Sequence, residues 1–155
     1  MVIDQNIETV WELLQQVTDP EIPVLSLLDL GVVKDVSVSD DAVTVIVTPT
    51  YSACPATFVM QQDIEHVLKK HGFESVTVKV QNFPAWTTDD ITQAGRQKLE
   101  QYGIAPPQSG DKKIRCPQCQ SEDVECISQF GSTACKALYR CKQCLEPFDY
   151  FKCHV

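Results

Sequence analysis

The chain has 155 residues, enough for one ordinary domain or two small ones, and its apolar fraction of 43% suits a folded protein. No apolar run approaches the roughly 20 residues that span a bilayer. Residues 1–110 hold fifteen acids against six bases, a net of −9, and residues 111–155 are near neutral, so the acidic majority argues against nucleic acid or anionic membrane as partners.

The opening residues, Met1-Val2-Ile3-Asp4, lack the basic segment of a secretory leader. A cytoplasmic setting is expected, where eight cysteines read as metal ligands or reactive thiols rather than as disulfides. One cysteine precedes residue 111 and seven follow it, and that shift marks a domain boundary.

In chain order, Ile7, Val10, Trp11, Leu14 and Val17 repeat at helical spacing, so residues 7–17 are expected as an amphipathic helix. Asp4 or Asn6 caps its start and Asp19-Pro20 ends it. Residues 19–31 then combine Pro20 and Pro23 with Asp19, Glu21, Asp29 and a run of aliphatics. Each proline pushes the residue before it out of helical angles, so an extended, largely buried connector is expected. Its acids either cap turns and helices or line a site. Residues 32–38 and 42–48 alternate or are β-branched, and Ser39-Asp40-Asp41 joins them as a hairpin turn.

Cys54 stands just before Pro55, which suits the first position of a helix. Met60, Ile64, Val67, Leu68 and His71 share one face of that helix, and Gly72 stops it. Residues 73–80 supply a third strand, and residues 88–102 one more helix, capped at Thr88 or Asp89 and ended by Gly103. The fold class expected is α+β: helices on a small three-stranded sheet, followed by a β-rich metal ribbon. The expected division is a domain over 1–103, a polar Pro/Gly linker over 104–113 and a ribbon over 114–155.

The strongest chemical signal is Cys116-Pro117-Gln118-Cys119 followed by Cys141-Lys142-Gln143-Cys144. Each pair brings two thiolates to one ion from a tight turn, and four thiolates suit tetrahedral Zn2+. A domain this small needs such a staple. The shell is closed, so the role is structural, although the same sulfurs could hold iron as a rubredoxin-like electron carrier does. Cys126, Cys135 and Cys153 are left over and read as small buried hydrophobes. Cys54 reads two ways: a helix N-terminus lowers a thiol pKa and favours a thiolate that ligates soft metals or a cluster or acts as a nucleophile, or the residue is simply small enough to fill a tight turn. Without a nearby histidine as base, it is not expected to be a catalytic nucleophile: His66 and His71 read as surface or helix-end residues.

Residues 19–31, followed by Thr48-Pro49-Thr50-Tyr51-Ser52-Ala53-Cys54-Pro55, resemble the MIP18 family (domain of unknown function 59), whose members assist iron–sulfur cluster assembly. The Trp86-Thr87-Thr88-Asp89-Asp90 stretch, Ala105-Pro106-Pro107, residues 130–141 and Glu146-Pro147-Phe148-Asp149-Tyr150-Phe151-Lys152 are similar to the D-subunit family of bacterial 1,2-phenylacetyl-CoA epoxidase systems. The resemblance implies a role in aerobic phenylacetate catabolism beside an oxygenase with a di-iron site and a reductase with flavin and a [2Fe–2S] cluster. It implies that Cys54 is a transient iron or cluster ligand, with Asp19, Glu21 and Thr50 as supporting residues. The chain has no Glu-x-x-His pair, no GxGxxG and no plant-type cluster motif. The expectation is therefore a non-catalytic accessory factor that serves the oxygenase and reductase subunits or the iron–sulfur assembly machinery. It would hold structural zinc and, at most, a transient iron–sulfur cluster. The alternatives are an electron carrier and a docking subunit whose acidic surface makes binding weaken with salt. The aliphatic run of residues 24–30 offers a homodimer contact.

Overall fold

The structure is a computed structural model that describes residues 6–20, 22–40, 42–50, 56–107, 113–131 and 136–151. Two compact units divide the chain, Met1–Trp86 and Thr87–Val155.

In the first unit, α1 (Ile7–Leu14) starts where the Asn6 side chain accepts the Thr9 N–H at 2.8 Å, and it buries Val10, Leu13 and Leu14. It stops three residues short of the expected end. The next N–H groups, of Gln16 and Val17, bond the carbonyls three residues back, so the last turn tightens before Pro20.

The connector is not extended throughout; it doubles back. Thr18 bridges Ser26, the Asp19 N–H donates to the Leu25 carbonyl, and the Leu27 N–H donates to that of Val17. It then winds one turn of helix, α2 (Leu27–Leu30), which Gly31 ends in the left-handed conformation at φ 71°. Ile22, Leu25, Leu27 and Leu30 are buried, while Val24 and Leu28 of the run expected as a dimer contact are half-buried.

Strands β1 (Val33–Ser39) and β2 (Ala42–Val47) form an antiparallel hairpin with Ser39 opposite Ala42. Asp40, at φ 50°, takes the left-handed angle that so tight a turn needs. Helix α3 (Ala56–Lys70) crosses over to β3 (Ser75–Val80), which pairs parallel with β2, giving the order β1-β2-β3. Val36, Val43, Val45 and Val47 form the inner face, and Ala56, Met60, Ile64 and Leu68 of α3 are buried. Helices α1 and α3 cover the sheet as one layer. Trp86 closes this unit: it is buried, and its Nε1–H donates to the Leu30 carbonyl at 2.7 Å.

In the second unit the expected helix over 88–102 is two pieces. A 3-10 turn spans Thr88–Asp90, Ile91 is extended, and α4 (Gln93–Gln101) restarts where the Thr92 hydroxyl accepts the Gly95 N–H. Threonine at the cap competes with helix continuation, and that splits the segment. Ile104 and Ala105, read from sequence as linker, form β4 (Ile104–Ala105), which pairs parallel with β7 (Pro147–Phe151). Strands β5 (Val124–Ser128) and β6 (Lys136–Cys141) complete the order β4-β7-β6-β5. Arg96 ties the helical part to the same unit by donating to the carbonyls of Pro107 and Thr88. The contacts thus divide the chain after Trp86, whereas composition and turn signals put the boundary after residue 103. Gly131 permits a close approach, because a Cβ there would lie 2.9 Å from the Asp149 carboxylate. Among the described residues no helix is long and apolar enough to cross a membrane.

Candidate metal centre

Two similar turns build the centre. After Cys116, the Gln120 N–H returns to the Cys116 carbonyl at 2.8 Å, and the Gln118 N–H lies 3.4 Å from the Cys116 Sγ. After Cys141, the N–H groups of Gln143 and Cys144 each lie 3.4 Å from the Cys141 Sγ. The residue that follows each turn has positive φ: Gln120 at 64° and Leu145 at 67°. That bend brings the second cysteine of each pair back toward the first.

The four sulfurs of Cys116, Cys119, Cys141 and Cys144 lie within 4.8 Å of one another. Cys116 and Cys144 are 3.7 Å apart, and Cys119 and Cys141 are 3.5 Å apart, too far for disulfides. A tetrahedron with metal–sulfur bonds of about 2.3 Å has edges of about 3.8 Å. The donor set therefore fits one tetrahedral ion. Cys116 and Cys141 are buried in the unit's core with Ala105 and Phe148, Cys144 is half-buried and Cys119 is exposed. The site is thus continuous with the core on one side and reaches the surface on the other.

The thiols divide their protons unequally. The Cys144 and Gln143 N–H groups, assisted by the neighbouring thiols, hold the Cys141 pKa down to about 6. The Glu146 N–H favours a thiolate at Cys144, but burial and the adjacent sulfurs outweigh it and push that pKa up to about 12. At Cys119 the Ser121 N–H is likewise outweighed by burial and by Cys141, so its pKa is raised. Four sulfurs this close cannot all ionise without a cation among them.

The other expected site residues separate. Asp19 is buried, and its Oδ1 accepts the Ile22 N–H at 2.9 Å, the turn-closing role open to a short acid. Asp29 caps α2: its Oδ2 accepts the Ser26 N–H while its own N–H donates to the Ser26 hydroxyl, both at 3.0 Å. Thr50 is half-buried at a bend after β2. Glu21, Cys54, Cys135 and Cys153 lie outside the described residues. Cys126, expected to be buried, is instead exposed on β5, opposite Tyr139. Among the described residues its strand is the edge of the sheet and pairs with β6 alone. His66 is exposed, and half-buried His71 has its Nδ1 3.0 Å from the Val67 carbonyl, as suits helix-surface and helix-end residues.

Sequence reasoning missed two residues. The hydroxyls of Thr48 and Thr57 are buried without a hydrogen-bond partner, unlike any other side-chain polar atom among the described residues. The signal available was Thr48 itself, a hydroxyl where the strand's valines give way to a loop.

Comparison with known proteins matches residues 105–152 to the PaaD zinc beta ribbon domain and residues 7–80 to the iron–sulfur cluster assembly protein family. The putative 1,2-phenylacetyl-CoA epoxidase D-subunit of Escherichia coli (strain K12) is 48% identical over 154 residues, which cover 96% of this chain and 93% of that one. The chain belongs to the epoxidase D-subunit family. An Fe-S protein maturation auxiliary factor of Porphyromonas gingivalis is 32% identical over 97 residues, 61% of this chain and 91% of that protein. A solved domain of unknown function 59 from Bacillus anthracis superimposes with a TM-score of 0.56 at 23% identity, over 59% of this chain and 89% of its own. That likeness carries the fold. The chain therefore joins an α+β unit of the domain-59 class to a zinc-ribbon-type cysteine cluster.

Proposed function

We propose that this chain is a non-catalytic accessory subunit of a bacterial 1,2-phenylacetyl-CoA epoxidase system, one that helps partner subunits acquire iron or an iron–sulfur cluster. The observation that carries the reading is a pairing within one chain that is 48% identical to an epoxidase D-subunit. An assembly-family unit over residues 7–80 is joined to a ribbon whose sulfurs form a closed tetrahedral set. Zinc held by Cys116, Cys119, Cys141 and Cys144 would supply only charge neutralisation and cross-linking, because four sulfurs leave no position for substrate. These thiols bind and orient; they do not turn over.

The working group is then Cys54. In sequence it precedes Ala56, the first residue of α3, by two residues, and a helix N-terminus in general favours a nearby thiolate. Asp19 holds the preceding loop closed, and Glu21 and Thr50 stand in the two segments that flank the site in the family pattern. The partners are the oxygenase and reductase subunits, or the machinery that makes clusters for them.

The test is co-expression of the partner subunits with the wild-type chain or with Cys54→Ser, followed by iron and sulfide analysis of the purified partners. Loss of partner iron with the ribbon metal retained is the expected result. Fully loaded, fully active partners made with Cys54→Ser would sink the reading. Iron without sulfide in the purified chain, with the visible spectrum of a ferric tetrathiolate, would make it an electron carrier instead.

A further inference from the structure

A sheet edge offers unpaired N–H and C=O groups to any second strand, and proteins blunt such edges with bulges, charges, prolines or shortness. Among the described residues, β1 and β3 are the edges of the first sheet, and β4 and β5 those of the second. Strand β1 is bulged between Val33 and Asp35, and the Asp35 carboxylate accepts the Val36 N–H at 2.9 Å. Strand β5 is bulged between Cys126 and Ser128, and β4 is only two residues long. Strand β3 has no bulge and no proline: it runs in unbroken register with β2 from Ser75 to Val80.

The direction of its free groups follows from one bond. The Gln81 N–H donates to the Val47 carbonyl at 2.9 Å. In a parallel ladder alternate residues bond the same neighbour, so Thr77 and Lys79 also turn their backbone groups to β2, and Val76, Val78 and Val80 turn theirs to the open edge. The Val78 carbonyl is accordingly the one that the Gln61 side chain of α3 reaches, at 3.5 Å. The valine side chains stand beside Val43, Val45 and Val47 and continue the inner face of the sheet. Val76 and Val78 are only half-buried, however, and Val80 is 41% exposed. Phe58, one turn before Gln61 on the same side of α3, is 65% exposed. The apolar layer between helix and sheet thus runs out uncovered at this edge.

We propose that the β3 edge pairs with the β3 edge of a second copy of this chain, antiparallel about a twofold axis through Val78. The edge is complementary to itself. With Val78 facing its own copy, Val76 faces Val80 of the second copy, and each such pair exchanges two hydrogen bonds, so every outward N–H and C=O is matched. Valine meets valine on the helix side. On the other face, exposed Thr77 stands opposite Lys79 of the second copy, and Lys79 is the only charge in the strand, so no like charges face each other. Gln61 gives up its long bond, and the sheet becomes continuous in the order β1-β2-β3-β3-β2-β1.

The experiment uses the full-length chain with its ribbon metal in place. Sedimentation equilibrium over a series of concentrations gives the association constant, and amide exchange read by NMR gives protection residue by residue. Wild type is expected to pass reversibly from monomer to dimer. The Val76, Val78 and Val80 N–H groups should gain protection only in the dimer, while those of Thr77 and Lys79 are protected in both states. Thr77→Glu sets an acid opposite each Lys79 and should tighten the dimer roughly three- to tenfold, and Thr77→Lys should weaken it by a similar factor. Val78→Pro removes an N–H that β2 does not use and should weaken the dimer by at least about tenfold with the pairing of β2 and β3 kept. A chain that stays monomeric at every concentration overturns the proposal, and so does a dimer in which those three amides stay unprotected. A dimer that Thr77→Glu and Thr77→Lys shift in the same direction overturns the axis through Val78. Protection of the three amides only on addition of an oxygenase or reductase subunit would assign the edge to a strand of another protein and overturn pairing with a second copy.

Discussion

Trp86 spends its one polar atom on the carbonyl of Leu30, the last residue of α2. Trp86→Phe leaves that carbonyl unpaired and the space under-filled, so it should destabilise the first unit by about 2–4 kcal/mol, read as a lower urea midpoint. At the metal centre the sign of the pH effect follows from the thiols. Cys141 has a folded pKa below its ordinary value, so its contribution to the metal-free unit is complete above the ordinary thiol range and is lost as pH falls through about 6. Cys119 and Cys144 are raised and remain protonated at pH 7.5. Zinc uptake at that pH should therefore release at least two protons, measured by calorimetry in buffers of different ionisation heat, and affinity should rise about a hundredfold per pH unit. The four ribbon cysteines were legible in the sequence because paired spacing is itself the geometry of a chelating turn. Asp29 was legible only as an ambiguity: a capping acid and a site acid look alike until the Ser26 N–H is seen to bond it. Thr48 was not legible, because whether a hydroxyl has a partner depends on residues far away in the chain.

Among the elements, α2 is the one most dependent on its caps. Four residues make a helix too short to persist alone, and the reciprocal bonds between Ser26 and Asp29 satisfy its first free N–H groups. Ser26→Ala should cost about 1–2 kcal/mol, visible as faster amide exchange over residues 26–31 before any change elsewhere. Strands β1, β2 and β3 and helix α3 could be read from the chain because their periodicity is set by one buried face. Strand β4 could not: two residues beside a Pro-Pro pair carry no periodicity, and only their pairing with β7 makes them a strand. The split at Ile91 and Thr92 was hidden for a related reason. Threonine and aspartate start helices as readily as they continue a helical stretch, and the choice is made by what the cap can bond.

For the whole molecule, the two units should lose structure under different conditions. Among the described residues the core of Met1–Trp86 is apolar and holds no cluster of candidate metal ligands, whereas two of the four clustered cysteines lie in the core of Thr87–Val155. A strong chelator at neutral pH should therefore melt the second unit while the first keeps its own cooperative transition. Two thermal transitions with metal, of which only one moves on chelation, is the expected calorimetric trace. Loss of both together would mean that the units fold as one. The sequence placed the four-cysteine cluster in the second unit, because cysteine density is a property of composition. Its boundary after residue 103 follows composition and turn signals, whereas contacts such as that of Arg96 with the Pro107 carbonyl group residues 87–103 with the ribbon, a partnership no local sequence pattern reveals.

The parallel pairing of β4 with β7 also has a consequence for biosynthesis. Strand β4 ends at Ala105 and its partner begins only at Pro147, so no part of that edge can form until nearly all of the second unit has been made. The first unit is complete at Trp86, sixty-five residues before the end of β7 at Phe151. At ordinary translation rates that interval is about 3–13 s, long compared with the folding time of a small domain. On the ribosome, the first unit can therefore be folded before the four clustered cysteines of the second have all been made, so the two units form in a set order.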